Sequence, residues 1–242
     1  MLLRKIVTAV ATLFFTLVFS YAAQATSFDC TKARSKQEKL ICSNPELSKA
    51  DDTMAATYKE ARSAAVKISQ EEATQLKADQ AGWILSGIHG CTPDAKCLSS
   101  SYKKRIAFLD FYLHQTRTSI AVSGTYERGI IDNDGELQIQ LKGDNKVVFS
   151  ISVDRVMNRG TCYVTANTGD IAGEAPLQNN VASYDKACKL QISFSATKAA
   201  IKQDDACGFF GLGVSAEGVY FKTSNAIPEI KIDPNDPNHV VN

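Results

Sequence analysis

Two spacings of hydrophobic residues divide this chain near residue 118. Before that point apolar side chains recur every three or four positions, and after it every second position. In the first part, Ser35-Lys36-Gln37-Glu38 has the form of a capping box ahead of Leu40 and Ile41, which predicts a short helix from Lys36. Asn44-Pro45 opens a second helix, with proline at the first position, where its missing N–H is not needed. Leu47, Met54, Tyr58 and Ala61 give that helix one apolar face as far as about Ile68. Ala73, Leu76, Gln80, Trp83 and Ile84 mark a third helix, ended by Gly87 and Gly90. A fourth runs from Cys97 to Leu113 with Tyr102, Ile106 and Leu109 inward. Only a short turn near Ser69 joins the second and third helices, so they should form an antiparallel hairpin.

The second part alternates. Leu137, Ile139 and Leu141 share one face, as do Val147, Phe149, Ile151 and Val153, and then Cys188, Leu190, Ile192 and Phe194. "DNDG" and "KGDNK" read as hairpin turns. Seven or eight short strands without a long intervening helix predict an antiparallel barrel or sandwich. "GTY" at Gly124–Tyr126 and "GVY" at Gly218–Tyr220 open the first and last strands, which would be neighbours where a barrel closes. The fold class is therefore α+β in two domains: a helical bundle at 26–115, a linker at 116–122, a β domain at 123–224, and an extended or disordered tail at 225–242.

Composition adds a compartment. Arg4 and Lys5 precede an almost unbroken apolar run from Ile6 to Ser20, and Ala23-Gln24-Ala25 supplies a small-x-small cleavage site. Residues 1–25 thus read as a secretory signal peptide, its apolar run short for a membrane span, and the mature chain as periplasmic or secreted. The whole sequence has 27 basic and 26 acidic residues, a balance without the electrostatic footprint of a nucleic-acid-binding protein. All seven cysteines follow the signal, and in an oxidising compartment they read as disulfides. Cys30, Cys42, Cys91 and Cys97 make an even group. Cys162, Cys188 and Cys207 make an odd one, with one member free or paired elsewhere. The helical hairpin gathers the first four at one pole, which predicts bridges running from Cys30 and Cys42 to Cys91 and Cys97.

Few patterns carry chemistry. His89, Cys91, Cys97 and Cys42 could serve zinc by residue type, but not at a usual zinc spacing. Asp132 to Glu136 resembles the start of a calcium loop, yet a strand begins at once. The three histidines adjoin no nucleophile motif, no C-x-x-C is present, and no cofactor loop is found. No catalytic, cofactor or metal residue is assigned.

One longer pattern is specific. "FDCTKARSKQEKLICSNPELSKADDTMAATYKEA", then "LKADQAGWI", Cys91, and "CLSSSYKKRIAFL" resemble the LprI-type lysozyme-inhibitor-like domain of exported bacterial proteins, over about Phe28 to Leu109. The resemblance includes Glu38, Asp51, Tyr58, Gln80, Trp83, Tyr102 and Arg105, expected mainly as packing and capping residues. It departs where the family has an arginine between the tryptophan and the next cysteine; here Gly87 stands about there. What the resemblance implies is a non-enzymatic inhibitor or immunity-type binder of lysozyme or another peptidoglycan-cleaving enzyme. Such an inhibitor would place basic or hydroxyl groups between the two carboxylates of a lysozyme cleft. Candidate contacts are Ser86, His89 and Lys96 in one loop, and Arg155 and Arg159 in another. Two other classes remain open: an envelope ligand-binding module using the barrel interior, and a hydrolase with paired carboxylates.

Overall fold

The computed structural model describes residues 26–115, 119–130, 133–143, 145–157, 165–204, 207–236 and 238–240. The expected signal segment, Asp132, Arg159 and Cys162 lie outside them. Among the described residues no helix is long and apolar enough to cross a membrane.

Four helices form in the first part: α1 (Lys36–Ser43), α2 (Pro45–Ile68), α3 (Gln70–Trp83) and α4 (Ala95–His114). Local chemistry sets their ends. The Ser35 hydroxyl accepts from the Glu38 N–H at 3.0 Å, and the Glu38 carboxylate accepts from the Ser35 N–H at 2.8 Å, completing the capping box. The Asn44 side chain caps α2 by accepting from the backbone of Glu46 and Leu47, with Pro45 at the first position. Ser69 serves both sides of the hairpin: its N–H donates to the Ala65 carbonyl at the end of α2, and its hydroxyl accepts from the Glu72 N–H at the start of α3. Ile41, Leu47, Met54, Ala61, Leu76, Leu98, Tyr102 and Leu109 fill the space between the helices. The helical run that starts with α3 ends at Ile88, between its expected glycines Gly87 and Gly90, but not as α-helix throughout. It widens into a π-helical turn at Ile84–Ile88, a distortion that recurs near functional sites.

The disulfide expectation is corrected. Cys30 joins Cys42, and Cys91 joins Cys97. The cysteines do approach one end of the bundle, since Gln37 of α1 donates to the Cys91 carbonyl at 2.7 Å. Each bridge nevertheless stays within its own segment. A 3₁₀ turn at Cys30–Lys32 folds back on the last turn of α1, and the π turn returns Cys91 over the first turn of α4, so both pairs reach a Cα separation of 5.8 Å. In the odd group Cys188 pairs with Cys207.

The second part is a closed barrel of eight antiparallel strands in sequential order. They are β1 (Gly124–Ile130), β2 (Asn133–Leu141), β3 (Lys146–Met157), β4 (Thr165–Gln178), β5 (Val181–Asp185), β6 (Lys189–Phe194), β7 (Lys198–Asp204) and β8 (Gly218–Ser224). Asn179 and Asn180, both at positive φ, make the two-residue turn from β4 to β5. Period-two alternation sends Leu137, Ile139, Val147, Phe149, Ile151, Leu190, Ile192 and Phe194 inward, where they are buried. Leu141, at a strand end, is exposed instead. Among the described residues the interior positions are taken by these packed side chains, an arrangement in which a small barrel is filled and not hollow.

Closure rests on the two Gly-x-Tyr strands, which pair as expected. Their contacts are reciprocal. Tyr126 donates to the Val122 carbonyl at 2.7 Å, and Tyr220 to that of Ala216 at 2.8 Å, each four residues back. Two residues beyond each tyrosine stands a buried cation that lies over the ring of the other strand's tyrosine: Arg128 over Tyr220 and Lys222 over Tyr126. Arg128 also donates to the carbonyls of Ser215 and Glu217, and Lys222 to that of Ala121. The opening glycines make room for these cations. A Cβ on Gly124 would lie 2.7 Å from Lys222 Cε, and one on Gly218 would lie 2.9 Å from Arg128 Nη1. Both have positive φ, which glycine adopts readily.

The described part of the tail docks on the barrel and turns back on itself, with Ile232 bridged antiparallel to Val240. The Asn238 carbonyl accepts from the Ala172 N–H at 2.6 Å, its side chain accepts from the Tyr184 hydroxyl at 2.7 Å, and Ile230 is buried.

Burial of Lys222 predicts a pH dependence. Desolvation disfavours its ammonium and pushes its pKa down to about 8. An unfolded lysine titrates near 10.4, so between those values the unfolded state holds more protons and stability rises with pH. The buried phenols of Tyr126 and Tyr220, pushed up by desolvation, oppose this only above about pH 10, where unfolded tyrosines ionise. Lys222→Met is expected to stabilise the protein at pH 7 by about 1–3 kcal/mol and to flatten the gain between pH 8 and 10. Thermal unfolding across that range checks it; a variant less stable than wild type at pH 7 would contradict it.

Candidate functional site between the two domains

Helix α4 lies against the outer side of β8. Phe221, which is 2% exposed, meets Phe108 and Tyr112 edge-on, with ring centroids 6.1 and 6.0 Å apart. Beside this cluster the buried Glu72 of α3 accepts from the Tyr112 hydroxyl at 3.1 Å, the Thr197 hydroxyl at 2.8 Å and the Lys198 ammonium at 2.5 Å. One acid thus joins its own domain to the start of β7. No sequence motif announced Glu72. A signal for Phe221 was present: Val219-Tyr220-Phe221 breaks the alternation of β8, as a strand covered on both faces does.

The expected LprI-type residues converge into one network. The buried Asp51 accepts from the Tyr102 hydroxyl at 2.9 Å and from the Ser27 N–H at 2.6 Å. Desolvation, then the Asp51 charge and this hydrogen bond, push the Tyr102 phenol up. Tyr102 meets Trp83 edge-on, and Trp83 Nε1 donates to Ser101 Oγ at 3.1 Å. The Arg105 guanidinium, 4.7 Å from the Phe108 ring centroid, donates through Nε to Gln80 at 2.8 Å and through Nη1 to Asp79 at 2.6 Å. Glu38 instead serves the capping box, and Tyr58 is half-buried on α2. Two backbone N–H donors, of Ser35 and Arg34, hold the Glu38 carboxyl below its usual range.

Alongside this interface a cleft of about 860 Å³ opens between the domains. The helical wall includes Trp83, Ser86, Ser101, Lys104, Arg105 and Phe108. The barrel wall includes Glu127 of β1, Asp134 and Glu136 of β2, and Ser152 and Asp154 of β3. Strand register puts these in rows on the outer face: Glu127 opposite Glu136, Glu136 opposite Ser152, and Asp134 opposite Asp154. Partial desolvation, then the Glu136 carboxylate, push the Glu127 carboxyl up, against the pull of Thr223 and Lys104.

The proposed contact residues divide around this cleft. Ser86 is in its wall, donating to the Gly82 carbonyl at 3.0 Å. His89 and Lys96 are exposed on the adjoining rim, which the Cys91–Cys97 bridge closes. Arg155 points elsewhere and donates to the Gly213 carbonyl at 3.0 Å. The zinc reading loses its ligands, because Cys42, Cys91 and Cys97 are all in disulfides; among the described residues no His, Cys, Asp and Glu cluster suits a metal. Sequence reading missed the acids of the barrel wall, whose only signal was that Asp134, Glu136, Ser152 and Asp154 occupy the polar phase of alternating strands.

This helical arrangement coincides with a family match. Residues 30–121 match the family model described as Lysozyme inhibitor LprI. The N-terminal part of the chain is an LprI domain. The match ends ahead of β1, leaving the barrel as an added domain. No curated protein and no solved structure matches the chain. In this LprI domain Gly87 occupies the place where an arginine was expected, and the packing explains why a side chain is absent. A Cβ there would lie 2.4 Å from Ser101 Oγ and 2.6 Å from Trp83 Nε1. Gly87→Ala is therefore expected to break the Trp83–Ser101 hydrogen bond and to cost about 1–3 kcal/mol. Denaturant unfolding, with tryptophan emission as a second readout, tests this; unchanged stability and emission would show that the turn absorbs the methyl group.

Proposed function

We propose that this protein is an exported, non-enzymatic inhibitor of lysozyme or another peptidoglycan-cleaving enzyme. The observation that carries the proposal is the LprI match over residues 30–121. Export is supported by the signal-like residues 1–25 and by the three disulfides among the described residues, which persist in oxidising compartments. The rim from Ser86 to Lys96 suits an inhibitor because it is pre-shaped. The Cys91–Cys97 bridge, the π turn and the Gln37–Cys91 hydrogen bond hold it, so little ordering entropy remains to be lost on binding. His89 and Lys96 bring positive or hydrogen-bonding groups to that rim, and a lysozyme cleft presents two carboxylates to meet them. A hydrolase is disfavoured by the placement of the acids. Glu127 and Glu136 stand side by side on one wall, whereas glycoside hydrolysis uses carboxylates that flank the scissile bond.

Purified protein added to a panel of muramidases should slow the lysis of cell-wall suspensions by at least one of them. Lys96→Glu should weaken that inhibition about tenfold without changing thermal stability. Unaltered lysis by every enzyme, at large molar excess of the protein, would reject the proposal.

A further inference from the structure

The interdomain cleft carries an unbalanced charge pattern. Of the five acids that line it among the described residues, Asp79 is engaged by Arg105 and Asp134 acts electrostatically on Arg128, while Glu127, Glu136 and Asp154 line the barrel side. Of its three bases, Arg128 turns its guanidinium to the carbonyls of Ser215 and Glu217, and Arg105 is shared with Asp79. Among the described residues Lys104 faces the acidic rows across the opening, where its charge acts on Glu127. Glu127 and Glu136 oppose one another directly across paired strands, an arrangement that destabilises a sheet. The helical side contributes a second, independent feature. Arg105 is 6% exposed and lines the cleft; Nε and Nη1 are engaged by Gln80 and Asp79, while Nη2 is buried with no acceptor among the described residues.

These features ask for a ligand that brings a cation to one wall and an oxygen acceptor to the other. We propose that the cleft seats a basic peptide segment, with a lysine or arginine side chain between Glu127 and Glu136 and a main-chain carbonyl turned to Arg105. Trp83 and Phe108 would pack the aliphatic stem of that side chain, which long cationic residues lay along apolar surface. The volume falls within the roughly 300–1,000 Å³ of built ligand sites. A neutral saccharide would leave the opposed carboxylates uncompensated, and an anion would meet mostly carboxylates. The proposal rests on the inhibitor reading only in assigning the segment to the target enzyme.

Trp83 is the single tryptophan of the chain and stands in the cleft wall, so its emission reports occupancy. Titration of the protein with tetralysine should give a saturable change in that emission, at least tenfold weaker in 300 mM salt than in 50 mM. Tetraglutamate and a trimer of N-acetylglucosamine should give none. The Glu127→Gln/Glu136→Gln variant should bind tetralysine at least tenfold more weakly while melting at the same or a higher temperature, because the like-charge pair is gone. No saturable response, equal binding by the variant, or binding of the saccharide instead of tetralysine would overturn the proposal. The inhibitor reading is separated by lysis assays. A variant that still inhibits a sensitive muramidase as well as wild type would detach the cleft from the target and leave inhibition standing. A wild-type protein that binds tetralysine through this pair but inhibits no muramidase would leave the basic-peptide site standing and reject the inhibitor reading.

Discussion

Glu72 is an acid whose side chain is only 3% exposed, and its carboxylate is satisfied by groups from both domains. A buried carboxylate without partners is costly, so separating the domains would strand this charge between Tyr112 and an empty interface. The neighbouring Phe108, Tyr112 and Phe221 cluster adds the apolar burial that the ion pair alone would not supply. Together they fix where α4 sits on β8. The cleft follows from that placement, because one wall belongs to α3, the π turn and α4, and the other to β1, β2 and β3. An LprI domain without this interface would keep Trp83 and Arg105 but would have no facing row of acids.

The barrel meets the same demand at its own seam. A sheet that closes on itself must satisfy both end strands, and β1 and β8 do so with one device used twice. Each glycine gives space to a cation, each cation covers a tyrosine, and each tyrosine bonds a carbonyl four residues back. The arrangement places ionisable groups inside an otherwise apolar barrel, which is tolerable because carbonyl oxygens and ring faces replace part of their hydration. It also fixes the phase of β1: Tyr126 and Arg128 face inward, so Glu127 faces outward into the cleft. The closure of the barrel and the acidity of the cleft are thus two sides of one strand.

Much of the architecture was legible because it is encoded locally. Ser35, Asn44 and Ser69 announce helix ends through hydrogen bonds spanning two or three residues, and alternation in β2, β3 and β6 fixes which residues enter the barrel. Even the meeting of β1 and β8 had a visible sign in Gly-x-Tyr. The disulfide pairing was not legible. Helical-hairpin topology brings four cysteines towards one end, but the choice among them depends on a 3₁₀ turn and a π turn that spacing does not reveal. The resemblance to LprI domains was carried by residues that proved to be a connected internal network, so it identified the domain more readily than it identified a surface.

The cleft was hidden for a different reason. Its acids are ordinary solvent-phase residues when read along any one strand, and each becomes unusual only beside the next strand and opposite a helix. Glu127, Glu136 and Ser152 are separated in sequence yet form one row through register. Arg105 and Trp83 read as core residues, and most of their contacts are core contacts; the edge of each that reaches the cleft depends on where the barrel lies. A stability-driven sequence would separate opposed glutamates or pair them with lysines, as cross-strand energetics favour. Here the lysine whose charge acts on Glu127 is Lys104 of the other domain, while the sheet offers the pair the neutral side chains of Thr223 and Gln138. Like charge only partly relieved, on a wall held rigid by a buried acid and an aromatic cluster, is what a site built for a cationic visitor would retain.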